Sequence, residues 1–198
     1  MPSVLTEQGI VHYEVAGTGP PVILLHGWTQ AWNTWLSTLE TFQDRYRIYA
    51  PDLWGFGESD KARARFEVPS FVDMVRHLMD ELGMERAPIM GHSMGGTTAL
   101  GVALTYPERV EKVAVVGSPV NGRSLSFFLK LAGRRAVANL ILAGEGAPLL
   151  RLFLRLWSPF VSRQNPQVFY EMTVKNAAGF TTESFFSSID SLRRTDYT

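Results

Sequence analysis

Residues 91–95 read Gly-His-Ser-Met-Gly, and this order places a single hydroxyl, that of Ser93, between two glycines. It matches the G-x-S-x-G pattern, in which a serine at a sharp turn from a strand into a helix acts as a nucleophile. Such a turn is crowded, so the residues two before and two after the serine must be small, and Gly91 and Gly95 meet that requirement. Serine and glycine are also common in ordinary turns, so the neighbouring elements must decide between the two interpretations.

A serine hydroxyl becomes an effective nucleophile when a base removes its proton and N–H groups stabilise the oxyanion that forms. The predicted donors are the backbone N–H of Met94, at the positive end of a helix, and that of Trp28, in the loop His26-Gly27-Trp28. We expect Gly27 and His26 to support that loop, with the imidazole bracing the turn rather than acting as a base. The Trp28 indole either lines a substrate pocket or packs against its neighbours.

The chain alternates strand and helix patterns through residue 117. Apolar runs typical of buried parallel strands occur at 22–25, 46–50, 87–90 and 113–116, and a hairpin arm is predicted at 10–16. Helices are predicted at 32–43, at 70–83 and from Ser93 to about Tyr106. This order predicts an α/β fold with a doubly wound, mostly parallel sheet, in which ligands bind at the carboxyl ends of the strands.

Beyond Pro119 the pattern becomes mostly helical. We predict three parts: an α/β core at 1–120, a helical lid or cap at 121–190, and a segment at 191–198 that returns toward the core. Within the predicted lid, residues 149–157 are apolar on most of a helical circumference, apart from two arginines. Such a helix either packs over the sheet and its pocket or docks on lipid.

Three stretches, LLHGW, PDLWGFGESD and GHSMGG, together resemble the α/β-hydrolase superfamily in order and spacing. The resemblance implies a lidded serine esterase, a lipase or a carbon-carbon bond hydrolase that acts on a small-molecule ester or a related substrate. Ser93 departs from the epoxide hydrolases and haloalkane dehalogenases of this fold, which carry an aspartate at that position. The loop from Asp52 to Ser59 is expected to be structural, with Asp52 capping its turns rather than taking part in catalysis.

In this superfamily the nucleophile is followed along the chain by an acid and then a histidine. Here all four histidines, at positions 12, 26, 77 and 92, precede Ser93, and Asp190 and Asp196 are poor candidates for the acid. We therefore expect a chain that lacks the C-terminal part of its fold and is nearly inactive alone. A non-catalytic binding protein that uses the same fold remains an alternative.

The composition of the chain limits the binding partners and the cellular compartment that we predict for it. Basic and acidic residues are equal, at 19 each, so no strong overall field attracts nucleic acid or an anionic membrane. The chain contains no cysteine, which excludes disulfides and fits a reducing, cytoplasmic compartment. We predict no metal, no cofactor and no transmembrane segment. If the sheet continues beyond residue 198, the strand at 113–117 becomes an exposed edge here, and self-association through that edge is expected.

Overall fold

The computed structural model describes residues 2–125, 129, 130, 152, 155, 176 and 180–198. Within that part of the chain, six strands form one sheet: β1 (Ser3–Thr6), β2 (Gly9–Ala16), β3 (Pro21–Leu25), β4 (Arg47–Pro51), β5 (Ala87–His92) and β6 (Val110–Val116). The strand order is β1-β2-β4-β3-β5-β6. The pairs β4–β3, β3–β5 and β5–β6 are parallel, whereas β1 and β2 form an antiparallel arm that joins the sheet through β4.

Four α-helices accompany the sheet in the described residues: α1 (Leu36–Phe42), α2 (Val68–Glu81), α3 (Met94–Thr105) and α4 (Thr182–Arg194). A 3₁₀ turn at Trp32–Trp35 leads into α1, and shorter 3₁₀ turns lie at Pro107–Arg109 and Gly122–Ser124. The predicted helices at 32–43, at 70–83 and after Ser93 are confirmed to within a few residues. Gly83, which has a φ of +64°, follows the end of α2 as the sequence predicts.

The sheet carries an apolar layer on each face because successive side chains of a strand point to opposite sides. On β3, Ile23 and Leu25 belong to the larger cluster with α2 and α3, whereas Leu24 packs with Trp35 and Leu39 on the side of α1. Side chains of α2 and α3 in the larger cluster, among them Phe71 and Val102, are fully buried. Helices on both faces of a mostly parallel sheet confirm the predicted doubly wound α/β architecture.

Two details concern the edges of the sheet, and the first differs from the sequence analysis. The hairpin partner of β2 is β1, which the apolar pattern did not reveal because only Val4 of that strand is buried. The run at 113–116 has the apolar pattern of a strand buried on both faces, but the sequence analysis also expects an exposed edge there in this chain, and Val113, Val115 and Val116 are indeed 37%, 42% and 45% exposed. The reason is position, since β6 is the outermost strand of the described sheet.

Helix α4 is fastened to the core at several points. Its first turn is held by a capping box between Thr181 and Ser184, and the Ser184 hydroxyl also donates to the carbonyl of Gly55 at 2.8 Å. Further along, the Ser191 hydroxyl accepts a hydrogen bond from the N–H of Val68, at the start of α2. The predicted boundary between lid and return segment, at residue 190, lies inside this helix. Most of the predicted lid, including nearly all of 149–157, lies outside the described residues.

Candidate active site

Ser93 stands alone between the end of β5 and the start of α3. Its φ of 52° and ψ of −119° are values that a residue with a side chain adopts only under strain. The turn leaves no space for larger neighbours: a Cβ on Gly91 would lie 2.2 Å from the carbonyl oxygen of Gly95, and one on Gly95 would lie 2.3 Å from that of Leu25. The observed geometry is therefore that of a sharp, crowded turn with a serine at its apex.

The backbone of Ser93 is held by hydrogen bonds, whereas its hydroxyl has no hydrogen-bond partner among the described residues. Its N–H donates to the carbonyl of Val116 at 2.9 Å, and its carbonyl accepts from the N–H of Gly96 at 3.0 Å. Within the described part of the chain, no side-chain hydrogen bond uses the Ser93 hydroxyl, which is partly exposed. The next N–H, that of Met94, is the first of α3 and so has no acceptor within the helix.

The loop after β3 lies directly against this turn. A Cβ placed on Gly27 would come within 3.2 Å of the Cβ of Ser93, so a side chain at position 27 would crowd the serine. Thr29, two residues further on, has a φ of 61°. Among the described residues, Thr29 and Ser93 are the two non-glycine positions with positive φ. Backbone strain is thus concentrated in the two loops that meet here.

Hydrogen bonds to Gly27 set the direction of the Trp28 N–H. The Gly27 carbonyl accepts from Nδ1 of His26 at 2.8 Å and from the N–H of Gln30 at 3.1 Å. The peptide bond between Gly27 and Trp28 is planar and trans, so the N–H of Trp28 points opposite to that carbonyl. His26 and Gln30 therefore orient the second predicted oxyanion donor without touching it.

His26 is fully buried, and both of its ring nitrogens are engaged. Because Nε2 accepts from the N–H of Leu53 at 2.9 Å, the proton of the neutral ring resides on Nδ1, which donates to Gly27. Burial lowers the pKa of His26 below its usual value, and Asp52 and the Gly27 carbonyl only partly oppose this effect. The ring is therefore a neutral brace between two loops, and its lone pair is not available to Ser93.

Asp52 is also fully buried, and it organises the loop that follows β4. Its carboxylate accepts from the N–H groups of Trp32 and Glu58, at 2.7 and 2.9 Å, and from Nδ1 of His12 at 2.8 Å. Burial disfavours its charged form, but the bonds from His12 and the two N–H groups prevail and hold the pKa of Asp52 below its usual value. A Cβ on Gly57 would lie 2.1 Å from this carboxylate, so the loop closes around it.

The indole of Trp28 faces α4. Its Nε1 donates to the carbonyl of Phe185 at 3.1 Å, and its ring lies 4.3 Å from that of Phe185, centroid to centroid. Phe180 continues the aromatic contact toward Phe56 and His26. Of the two roles open to this side chain, lining a pocket or packing, these contacts favour packing, and they connect the loop after β3 to α4.

The remaining titratable candidates are engaged elsewhere. His92 donates from Nδ1 to the side-chain oxygen of Gln30 at 3.0 Å, and the His77 ring on α2 contacts the guanidinium of Arg76. Asp190 pairs with Arg193 and Arg194 on α4, while Asp196 accepts hydrogen bonds from Thr198. None of these groups is hydrogen-bonded to Ser93 within the described residues. No group of three or more potential metal ligands occurs in the same part of the chain.

A serine at a strained turn between a parallel strand and a helix, beside a loop with an oriented N–H, defines a class of doubly wound α/β proteins. A family model described as the alpha/beta hydrolase fold matches residues 20–143, which is more than half of the chain. The chain belongs to this family.

Individual relatives within the family differ in the reactions their names describe. A soluble epoxide hydrolase from Corynebacterium sp. is 34% identical over 106 residues, which are 54% of this chain and 37% of that protein. A 2-hydroxy-6-oxo-6-phenylhexa-2,4-dienoate hydrolase from Comamonas testosteroni is 40% identical over 114 residues, covering 54% of this chain and 40% of the relative. The solved structure of a thermophilic esterase from Thermogutta terrifontis superposes with a TM-score of 0.80 at 24% identity.

The matches cover different shares of this chain and of its relatives. The superposition on the esterase includes 98% of this chain and 73% of that structure. In sequence, the matched part of the chain spans 31% to 40% of the length of these curated relatives. Among the described helices, none combines the length and the apolar character that a bilayer crossing requires.

Gln30 is the residue of this site that the sequence analysis did not identify. Its side-chain oxygen accepts from both the N–H of Gly27 and Nδ1 of His92. Nothing in the local sequence marks it, because its second partner lies 62 positions away. The turn at Ser93, by contrast, is recognisable from three closely spaced glycines and the apolar run before them.

Proposed function

We propose that the protein is a serine hydrolase that cleaves carboxylic esters of small molecules through an acyl-enzyme on Ser93. The observation that carries this proposal is the strained turn: among the described residues, the Ser93 hydroxyl and the Met94 N–H have no hydrogen-bond partner, and the N–H of Trp28 is oriented by its neighbours. The hydroxyl at position 93 would attack the ester carbonyl, and the two N–H groups would receive the negative charge that develops on its oxygen. Collapse expels the alcohol, and water then releases the acid.

The proposed reaction needs a base that takes the proton of Ser93 and returns it to the leaving alcohol. Within the described residues none of the four histidines is hydrogen-bonded to Ser93: both ring nitrogens of His26 are engaged, His12 faces Asp52 and Glu14, His92 donates to Gln30, and His77 lies on α2. We therefore propose that the base and its acid partner are supplied by residues outside these 198. Turnover by these 198 residues alone would then be reduced to the contribution of binding and the oxyanion donors.

The experiment is the hydrolysis of p-nitrophenyl esters of increasing acyl length by the full-length protein that carries these residues. Ser93→Ala should reduce turnover to the residual rate that binding and the oxyanion donors provide, roughly 10³ to 10⁴ times the rate of the uncatalysed reaction in water. Ser37→Ala, which removes an exposed hydroxyl at the start of α1, is the matched control and should leave turnover unchanged. Unchanged hydrolysis in the Ser93→Ala variant would contradict the proposal.

A carbon-carbon bond hydrolase is the second candidate, and the 40% identity to the hexadienoate hydrolase favours it. Both reactions can use the same serine and N–H groups, so the substrate distinguishes them. Comparing kcat/KM for a p-nitrophenyl ester with that for a vinylogous 1,5-diketone tests the choice directly. A protein with this fold that binds substrate analogues but turns over neither substrate would instead be a binding protein.

Three further proposals accompany the main one. The segment 121–190 acts as a lid over the site, consistent with the aromatic contact between Trp28 and Phe185 of α4. The protein works in the cytoplasm, which the absence of cysteine favours and which fractionation of the source cells would test. The 198-residue chain self-associates through β6, whose valines are exposed at the edge of the described sheet.

A further inference from the structure

The side-chain oxygen of Gln30 lies between two donors that belong to different loops. It accepts from the N–H of Gly27 at 2.9 Å and from Nδ1 of His92 at 3.0 Å. Gly27 belongs to the loop after β3, whereas His92 is the last residue of β5 and immediately precedes Ser93. One amide group therefore joins the two segments that carry the predicted oxyanion donors.

The chemistry of the three groups fixes their orientation. A backbone N–H can only donate, so the atom of Gln30 that faces Gly27 must be its oxygen. The same oxygen faces Nδ1 of His92, which must therefore carry a proton. Burial lowers the pKa of His92, so the ring is neutral at pH 7 and holds its single proton on Nδ1. Both donors, the N–H of Gly27 and Nδ1 of His92, thus face the same acceptor, the side-chain oxygen of Gln30.

The contact is also close. A Cβ on Gly27 would lie 2.9 Å from Nδ1 of His92 and 2.8 Å from the oxygen of Gln30, so the glycine backbone is pressed against both side chains. Gln30 additionally donates its own N–H to the Gly27 carbonyl. Both polar groups of Gly27 are consequently tied to Gln30, and Gln30 in turn is tied to the residue beside Ser93.

We propose that Gln30 and His92 are positioning residues, which hold the loop carrying the Trp28 N–H against the turn carrying the Met94 N–H. Together they set the spacing between the two donors that would bind the oxyanion. This inference rests on the proposed function for its effect on catalysis, because the donors matter only if an oxyanion forms there. The hydrogen bond itself exists independently of any reaction.

Two variants distinguish a role of Gln30 in joining the two loops from a role in its own turn alone. If Gln30 merely closed its own turn through Gly27, then His92→Phe would have no effect, because the ring would be kept and only the Nδ1 donor lost. If the two residues act as one clamp, Gln30→Met and His92→Phe should lower kcat by a similar factor, and the double variant should lower it no further. A misplacement of about 1 Å costs up to roughly 10²-fold in rate, so we expect a fall of about 10- to 100-fold.

The test measures kcat and KM for p-nitrophenyl butyrate in the full-length protein that carries these residues. We expect KM to stay within about twofold, because the clamp affects donors used mainly in the transition state. Gln30→Glu keeps an acceptor for both donors and should restore most of kcat, while its charge raises the pKa of His92. Gln43→Met, at an exposed glutamine that follows α1, is the matched control and should behave like the parent protein.

A second readout does not depend on activity. Nitrogen-15 NMR of the His92 ring should show the proton on Nδ1 in the parent protein and a shift toward the Nε2 tautomer in Gln30→Met. If Ser93→Ala retains turnover, the proposed function fails and the NMR result alone decides the clamp. Two results would overturn the clamp and leave the proposed function standing. In the first, turnover requires Ser93 but Gln30→Met and His92→Phe keep the parent kcat. In the second, His92 carries its proton on Nε2 in the parent protein.

Discussion

Nε2 of His26 accepts a hydrogen bond of 2.9 Å from the backbone N–H of Leu53. The bond connects the loop after β3 to the loop after β4, and Nδ1 of the same ring fixes the Gly27 carbonyl. A histidine with both nitrogens committed in this way cannot accept a proton from Ser93 without breaking one of its bonds. The ring therefore acts through the backbone, by orienting the peptide that carries the Trp28 N–H.

The first prediction concerns this bond. His26→Phe keeps a ring beside Phe56 but leaves the buried N–H of Leu53 without an acceptor. We expect the free energy of unfolding to fall by about 1–3 kcal/mol, the cost of an unsatisfied buried group. Urea denaturation measures it. The same change at the partly exposed His77, His77→Phe, should cost about 0.5 kcal/mol or less, and an equal loss in both variants would contradict the bracing role.

The second prediction is a pH dependence set by His12 and Asp52. The hydrogen bond with Asp52 raises the pKa of His12 against the opposing effect of burial, and Glu14 and Glu58 add to the rise. A raised histidine pKa stabilises the fold below the unfolded value of about 6.5 and ceases to do so as pH rises through the folded value. The lowered pKa of Asp52 stabilises above about 3.9 and is lost as pH falls through its folded value.

The pair should therefore contribute most between about pH 4 and 6.5. His12→Asn retains a donor near Asp52 but removes the charge. The difference in unfolding free energy between the parent protein and this variant should be larger at pH 5.5 than at pH 9, as measured by urea denaturation at both values. A difference that grows toward pH 9 would show that the charge of His12 does not stabilise the fold.

The third prediction tests the crowding at the turn. Gly95→Ala would place a Cβ 2.3 Å from the carbonyl oxygen of Leu25 and 2.5 Å from that of His26, and both are backbone atoms that cannot move aside cheaply. We expect a loss of about 3 kcal/mol or more in unfolding free energy. Gly83→Ala is the control, since it has a positive φ but no atom within 4 Å, and about 1–2 kcal/mol is expected for strain alone. Equal losses would contradict the crowding.

The fourth prediction concerns the edge strand. The isolated 198-residue chain, of 22.1 kDa, should form dimers or larger species because β6 has exposed valines and, at the edge of the described sheet, no further strand paired with its backbone. Val115→Lys places a charge on that strand and should shift the chain toward the monomer. Val120→Lys adds the same charge at an exposed valine beyond the strand and should not. Light scattering after size exclusion decides, and a monomeric parent chain would refute the prediction.

The sequence predicted those parts of the molecule that have a local signature. The apolar spacing of α2 and the short runs that became β3, β4 and β5 follow from burial within one element. The turn at Ser93 was recognisable for the same reason. The contacts that connect elements have no such signature: Trp28 meets Phe185 across 157 positions, and His12 meets Asp52 across 40. The exposure of β6 depends on what lies beside it in the sheet; the apolar run alone does not indicate it, and the expectation of an exposed edge came from the resemblance to a longer fold.

The assignment of Ser93 as nucleophile is tested most directly by covalent labelling. The full-length protein that carries these residues would be treated with a fluorophosphonate, digested and mapped by mass spectrometry. We predict a single adduct on Ser93, absent from Ser93→Ala and retained in the control Ser37→Ala. An adduct on another residue, or labelling that survives Ser93→Ala, would contradict the assignment.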